Sequence, residues 1–97
     1  VKLVHCPQSN LKLASGVAPV KKALDFGIPV LLGTDGATSN NNLDMFEEMG
    51  TCAMLAKGVT GDPTAVSAKD TFSMVTSIAA RSLGREDLGV LEPGACC

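Results

Sequence analysis

The chain has 97 residues, with eight basic and ten acidic side chains and a formal net charge of −2 at pH 7. This length allows one small domain or part of a larger one, and an apolar content of 45% predicts a packed, mainly aliphatic core. The basic residues are scattered and no apolar run approaches ~18 residues, so we expect neither nucleic acid nor a membrane as a partner.

The four cysteines are Cys6, Cys52, Cys96 and Cys97, and none of them forms a C-x-x-C pair. This spacing gives neither a zinc ribbon nor a dithiol redox motif. Cys6 and Cys52 stand in apolar contexts, which predicts small buried side chains of a reduced, cytoplasmic protein. The role of the adjacent Cys96 and Cys97 stays open.

The first third of the chain is predicted to alternate between strand and helix. Residues 1–4 form a short strand that leads to His5, and the polar residues 8–16 form a loop. A helix then begins near Pro19, and residues 28–32 form a second strand. This order predicts a βαβ unit in which the two strands are parallel.

The second strand leads directly into a carboxylate. Residues 30–32 are apolar in succession, which is typical of a strand buried on both faces, and Asp35 follows between Gly33 and Gly36. Ligands bind at the carboxyl ends of parallel strands, so Asp35 is a candidate for chemistry. Asp-Gly is equally typical of a plain turn, in which Asp35 would only cap nearby amides.

A polar loop and a long helix are predicted next. Residues 38–42 offer either a ligand surface, with Ser39 as a candidate, or helix capping with Asn42 as the N-cap. Residues 43–57 form the helix, and Glu47 and Glu48 are interpreted as part of its solvated face. Gly58 is predicted to end it, and its buried stripe comprises Leu43, Phe46, Met49, Ala53 and Ala56.

The last predicted helix opens with a capping box from Ser67 to Asp70 and ends at Gly84. Its buried stripe comprises Phe72, Val75, Ala79 and Leu83. A short extended piece with a Pro-Gly turn follows over residues 89–94.

Three stretches of the chain together resemble the amidohydrolase superfamily, and within it the methylthioadenosine/S-adenosylhomocysteine deaminases and related chlorohydrolases. They are His5–Gly16, Gly33–Ala37 with Ser39–Met45, and Leu88–Gly94. The resemblance implies an α/β fold comprising the last two βα units of a metal-dependent (β/α)8 amidohydrolase barrel, incomplete in this chain. Residues 1–84 would be the C-terminal quarter of the barrel, and residues 85–97 the start of an adjoining small β-domain.

The resemblance also implies roles for individual side chains. Asp35 matches the aspartate after the eighth strand, which binds the metal and moves a proton from water. His5 would lie at the end of the seventh strand near the substrate, although a purely structural hydrogen-bonding role stays open for it. Ser9 and Asn10 would shape the adjacent substrate loop, and Ser39 would face the substrate.

The single histidine limits what this chain can do alone. The family's metal site needs a His-x-His pair and two further histidines, and a catalytic zinc needs about three protein ligands. We therefore expect a divalent metal, zinc in the family context, only within a complete barrel, and none in the isolated chain.

Two functions remain open from the sequence. The first is hydrolytic deamination of an adenosine-like or other small N-heterocyclic substrate, with this chain as part of a longer one. The second is a non-catalytic interaction module, in which copies of the chain form a homo-oligomer because two strands leave sheet edges unpaired.

Overall fold

The computed structural model describes residues 1–96. Its elements are β1 (Leu3–His5), α1 (Pro7–Lys12), α2 (Val20–Asp25), β2 (Val30–Leu32), α3 (Met45–Thr60), α4 (Ala68–Val75) and α5 (Ser77–Ser82). β1 and β2 form a parallel pair in which Leu3 is opposite Val30 and His5 is opposite Leu32. The prediction of two parallel strands joined through a helix is confirmed. Cys97 lies outside the described residues.

The core lies between the two-stranded sheet and the helices. All three residues of β2 are buried, as its uninterrupted apolar run predicts. The other buried members of the core come from α2, α3, α4 and the segment before α4: Val20, Ala23, Cys52, Ala56, Val66 and Met74. Packing of α3, α4 and α5 against β2 fixes the strand whose end carries Asp35.

The prediction of a loop from Gln8 was wrong for the residues of α1. Pro7 occupies the first turn of this helix, where its missing N–H leaves no hydrogen bond unmade. Lys12 in the last turn suits the negative end of the helix dipole. The consequence for the site is that Ser9 and Asn10 are held on a helix rather than on a loop.

The long helix begins two residues later than predicted, because its N-cap is Asp44 and not Asn42. Asp44 Oδ1 accepts hydrogen bonds from the backbone N–H of Phe46 at 2.8 Å and of Glu47 at 3.3 Å. Those two amides have no partner inside the helix, so the carboxylate fixes its first turn.

The helix also ends later, at Thr60, because Gly61 and not Gly58 adopts the left-handed conformation, with φ of 67°. Its predicted stripe was wrong at Leu43 and Phe46, which are 48% and 77% exposed. Leu43 lies before the cap, and Phe46 lies on the outer face of the helix. Ala53 and Ala56 are buried as predicted, and Met49 packs against the core.

The capping box at Ser67 and Asp70 is confirmed, but the helix that it opens is interrupted at Thr76. The Thr76 hydroxyl donates to the Phe72 carbonyl at 2.7 Å, an interaction that bends helices. The backbone of Gly89 packs so closely on Thr76 that a Cβ atom there would lie 2.5 Å from the Thr76 carbonyl oxygen.

The predicted stripe on this part of the chain is therefore only partly right. Phe72 and Leu83 are 57% and 77% exposed, whereas Met74 is fully buried in the core. Val75 and Ala79 are half-buried.

Residues 83–96 form no helix or strand. A hydrogen bond from Ala95 N to the Glu92 carbonyl closes the predicted Pro-Gly turn. The division of the chain between residues 84 and 85 stays a prediction. Across residues 1–96, the helices are all too short or too polar to cross a membrane.

Candidate functional site

The candidate site is built at the carboxyl edge of the two-stranded sheet. The Gly33 N–H donates to the His5 carbonyl at 3.0 Å, which extends the strand pairing one step past Leu32. A Cβ atom on Gly33 would lie 3.3 Å from Cys6 Sγ, so only glycine fits here without displacing its neighbour. Asp35 leaves the sheet immediately after this close approach.

Asp35 itself adopts the unusual backbone conformation at this edge, with φ of 63°. Neither of the flanking glycines, Gly33 and Gly36, has a positive φ. Aspartate tolerates the left-handed region better than most residues, because its short side chain can form local hydrogen bonds. A strained conformation at a strand end is a feature of functional sites.

The Asp35 carboxylate is held by two serine hydroxyls. Ser9 Oγ donates to Asp35 Oδ2 at 2.8 Å, and Ser39 Oγ donates to the same oxygen at 2.9 Å. Ser9 is 2% exposed and comes from α1, whereas Ser39 comes from the loop after β2. Both bonds orient Oδ2, and neither serine occupies Oδ1.

These donors favour the ionised form of Asp35. The Ser9 hydroxyl, then the Ser39 hydroxyl, then the Gly36 amide hold the pKa of the Asp35 carboxyl below its ordinary value, and burial opposes them weakly. Asp35 is exposed to solvent, so the charged oxygen remains accessible at the edge of the sheet.

His5 is buried at the end of β1, where it is 2% exposed. Burial lowers the pKa of its imidazole, so the ring is neutral at neutral pH. Its Nδ1 atom is buried without a hydrogen-bond partner among residues 1–96. An unmade bond at a buried ring nitrogen is costly, and a ligand or further protein group at this edge would satisfy it.

Of the predicted site residues, the structure brings together Asp35, Ser9 and Ser39. Asn10 follows Ser9 on α1 and is half-buried, and its backbone carbonyl accepts from Ser15 N at 2.9 Å. His5 lies at this edge of the sheet, and neither His5 nor Asn10 donates to the Asp35 carboxylate within the described residues.

Sequence reasoning missed Glu48, which is fully buried rather than solvated. Its Oε1 atom accepts from Asn40 Nδ2, and its Oε2 atom accepts from Gln8 N at 3.3 Å. The signal for its burial is helical spacing, since Glu48 lies four residues before Cys52 on the face that is buried. Glu47, its exposed neighbour, fits the solvated interpretation.

The loop between β2 and α3 is closed by its own asparagines and by Lys12. Asn40 is 1% exposed, and its Oδ1 accepts from Leu43 N at 3.0 Å and from Asn42 N at 3.3 Å. Lys12 Nζ donates to the Thr38 carbonyl at 2.9 Å and to Asn41 Oδ1 at 2.7 Å. Asn40 therefore holds the loop together and is not free to contact a ligand.

The side chains at this edge of the sheet could supply only one of the several ligands that a metal ion needs. Within residues 1–96, no three histidine, cysteine, aspartate or glutamate side chains cluster closely enough to hold a metal ion. The ionised Asp35, with an oxygen that neither serine bonds, is a suitable single carboxylate ligand. Further ligands would have to come from elsewhere.

The sequence is similar to known proteins along almost its whole length. Residues 1–95 match the amidohydrolase family. A 5-methylthioadenosine/S-adenosylhomocysteine deaminase of Moorella thermoacetica is 60% identical over 95 residues, which are 97% of this chain and 22% of that protein. The chain thus spans about a fifth of the length of the curated relatives it matches.

Solved structures of zinc enzymes contain the same fold segment. An adenosine deaminase from Xanthomonas campestris with bound zinc superposes with a TM-score of 0.90 at 48% identity, over 95% of this chain and 21% of that one. An atrazine chlorohydrolase from Arthrobacter aurescens, solved with zinc, gives 0.88 at 34% identity, over 97% and 21%. The match of the family over residues 1–95, together with these similarities, confirms the resemblance read from the motifs: the chain belongs to the amidohydrolase family.

Proposed function

We propose that this chain is the C-terminal quarter of a (β/α)8 barrel that deaminates an adenosine-like or other small N-heterocyclic amine by hydrolysis. The observation that carries the proposal is the Asp35 carboxylate, exposed at the carboxyl edge of β2 and oriented by two serines. The deaminases among its relatives and the zinc in similar structures support this assignment. Residues 85–97 would then begin a small β-domain beside the barrel.

Asp35 is proposed as the one metal ligand from this segment. The serine hydroxyls favour its charged form, which is the form that a cation requires. When bound, a divalent metal would act as a Lewis acid and make water a better nucleophile at neutral pH. Because both serines bind Oδ2, Oδ1 is the oxygen proposed to face the metal.

The family resemblance also assigns proton transfer to Asp35. In that role Oδ1 would take a proton as water attacks the ring carbon, and would pass it to the departing amine. A carboxylate whose pKa is held low is a weak base, so the proton would stay on it only briefly. Ser9 and Ser39 would keep the carboxylate in one orientation while the proton moves.

The remaining predicted residues are proposed to lie on the substrate side. His5 offers a neutral ring whose Nδ1 needs a partner, and a polar group of the substrate would supply one. Ser9 and Asn10 would shape the adjacent wall from α1, and Ser39 would contact the substrate from the opposite loop.

A chimera tests this proposal. The matching segment of the Moorella thermoacetica deaminase is replaced by residues 1–95 of this chain, and ammonia release from methylthioadenosine is measured. We expect an active chimera in which Asp35→Asn lowers kcat by about 10²–10⁴-fold, the range of a single acid–base group. Asp25→Asn, at an exposed ion pair on α2, is the control and should leave kcat unchanged.

An active chimera that tolerates Asp35→Asn with full zinc content would overturn the assignment of Asp35. A well-folded but inactive chimera would favour the alternative, a non-catalytic module. The observation that favours this alternative is the exposure of apolar side chains such as Phe46 and Phe72, which need a partner surface.

A further inference from the structure

One buried carboxylate touches both segments that carry the serines around Asp35. Glu48 Oε2 accepts from the backbone N–H of Gln8, the residue before Ser9. Glu48 Oε1 accepts from the side chain of Asn40, the residue after Ser39. Each oxygen of Glu48 therefore holds the immediate neighbour of one serine that bonds Asp35.

Burial of Glu48 and Asn40 costs free energy unless the hydrogen bonds of both side chains are formed. Glu48 is 0% exposed and Asn40 is 1% exposed, so water cannot replace a lost hydrogen bond at either side chain. Both partners of Glu48 are N–H donors, which suits a group that accepts at both oxygens.

We propose that Glu48 is a positioning residue that fixes α1 and the loop after β2 relative to each other, and thereby sets the orientation of the Asp35 carboxylate. It acts through Gln8 and Asn40 and touches no reacting group. The structural part of this inference stands independently of the proposed function, whereas its effect on turnover rests on that function.

The network makes a sharp prediction for Glu48→Gln. The new side chain has one acceptor and one donor end, so it can accept from Gln8 N or from Asn40 Nδ2 but not from both. Asn40 cannot reverse its amide to compensate, because its Oδ1 already accepts from the backbone N–H groups of Asn42 and Leu43. The half-buried Gln8 or the buried Asn40 must therefore lose the partner of its N–H group.

The same logic defines a rescue. In the double variant Asn40→Asp with Glu48→Gln, the carboxylate and the amide exchange places. The new carboxylate accepts from the backbone of residues 42 and 43 with one oxygen and from the new amide with the other. The amide oxygen at position 48 remains free to accept from Gln8 N. The double variant therefore restores every hydrogen bond. The bond between positions 40 and 48 is reversed, because residue 48 is now its donor.

Hydrogen exchange measures the positioning directly. The chain and the chimera are followed by mass spectrometry over residues 8–13, where the amides of Asn10 and Leu13 are hydrogen-bonded, and over residues 36–43, where those of Ser39, Asn40 and Leu43 are. We expect Glu48→Gln to speed exchange in the segment that loses its hydrogen bond to residue 48 by about tenfold or more. Exchange in α4 should not change, and the double variant should return that segment to the parental rate.

Glu47→Gln is the matched control, one residue away and exposed. Its carboxylate accepts from Asn42 Nδ2 at 2.6 Å at the surface, where water can replace the bond. In the chimera, Glu48→Gln should lower kcat/KM, since it disturbs the two segments that orient Asp35 and face the substrate, and the double variant should recover kcat/KM.

The inference is overturned if exchange in both residues 8–13 and residues 36–43 is the same in Glu48→Gln and Glu47→Gln, or if it rises equally in α4. It is also overturned if the double variant is no better than Glu48→Gln alone. An inactive parental chimera would count against the proposed function only, because the exchange comparison decides the role of Glu48 without any turnover.

Discussion

Ser9 and Asp35 lie 26 residues apart in the sequence, and a hydrogen bond of 2.8 Å from Ser9 Oγ to Asp35 Oδ2 joins them. The donor is buried on α1 and the acceptor is exposed at the end of β2. The buried Ser9 hydroxyl therefore lowers the pKa of the Asp35 carboxyl and orients this accessible carboxylate, as hydrogen-bond partners of metal ligands do.

The first prediction concerns the acidity of Asp35. The Ser9 hydroxyl is the main group that holds its pKa below 3.8, so Ser9→Ala should raise that pKa, and Ser39→Ala should raise it less. The stabilisation from this carboxylate is present above its unfolded pKa and is lost as the pH falls through its folded pKa. Ser9→Ala should therefore shift this loss to higher pH. Carboxyl carbon NMR of Asp35 during an acid titration measures the shift, and an unchanged pKa in Ser9→Ala would contradict it.

The second prediction concerns zinc. The isolated chain should retain no stoichiometric zinc after dialysis at neutral pH, because Asp35 is its single matched ligand and residues 1–96 hold no cluster of three donors. Atomic absorption after dialysis measures it. Stoichiometric zinc that disappears in Asp35→Ala would reveal a site that we have not found.

Much of the fold near Asp35 could be predicted because local patterns determine it. The uninterrupted apolar residues of β2 indicate a buried strand, and Ser67 with Asp70 indicates a helix start. α1 was missed because six residues are too few to establish a helical period, although Pro7 is well suited to a first turn.

The candidate site was harder to predict, since its contacts are long-range. Asp35 could be selected from its place after a strand, but nothing local indicates that Ser9 would reach it across 26 positions. Glu48 was interpreted as solvated because charge usually indicates exposure. Its burial depends on Asn40 and Gln8, whose donors lie in other segments.

The third prediction concerns the core. Met74 is 0% exposed and packs in the main apolar cluster, so Met74→Ala should lower the free energy of unfolding by about 2–5 kcal/mol. Met54→Ala removes the same atoms from a side chain that is 69% exposed and should cost much less. Urea unfolding of both variants, in the chimera if the chain alone does not unfold cooperatively, makes the comparison. Equal losses of stability in the two variants would contradict the burial of Met74 in the core.

The fourth prediction concerns thiol reactivity. Burial, and then the nearby Glu48 carboxylate, raise the pKa of the Cys52 thiol to about 11, and the residue is 1% exposed. Because the thiolate is the reactive form, Cys52 should resist alkylation at neutral pH while exposed Cys96 reacts. Peptide mapping after brief treatment with iodoacetamide tests this order. Labelling of Cys52 as fast as Cys96 in the folded chain would contradict its burial.

The last prediction concerns self-association of the chain in isolation. Its sheet has two strands, so each has an outer edge without a partner among residues 1–96. Phe46 and Phe72 line one apolar groove between α3 and α4, and they are 77% and 57% exposed. Both features favour contact with another protein surface, and in a solution of the chain alone the available surface is a second copy.

Sedimentation at micromolar concentration should therefore show species larger than the 9.9 kDa monomer. Phe46→Ser should shift the distribution towards the monomer, because it removes an aromatic side chain from the groove between α3 and α4. Leu83→Ser is the matched control, since Leu83 is as exposed as Phe46 but lies at the end of α5, outside that groove. A compact monomer that unfolds cooperatively would contradict self-association, since the open edges and the groove would then be stable in water. Equal effects of the two substitutions would instead show that general surface hydrophobicity, and not the groove, drives the association.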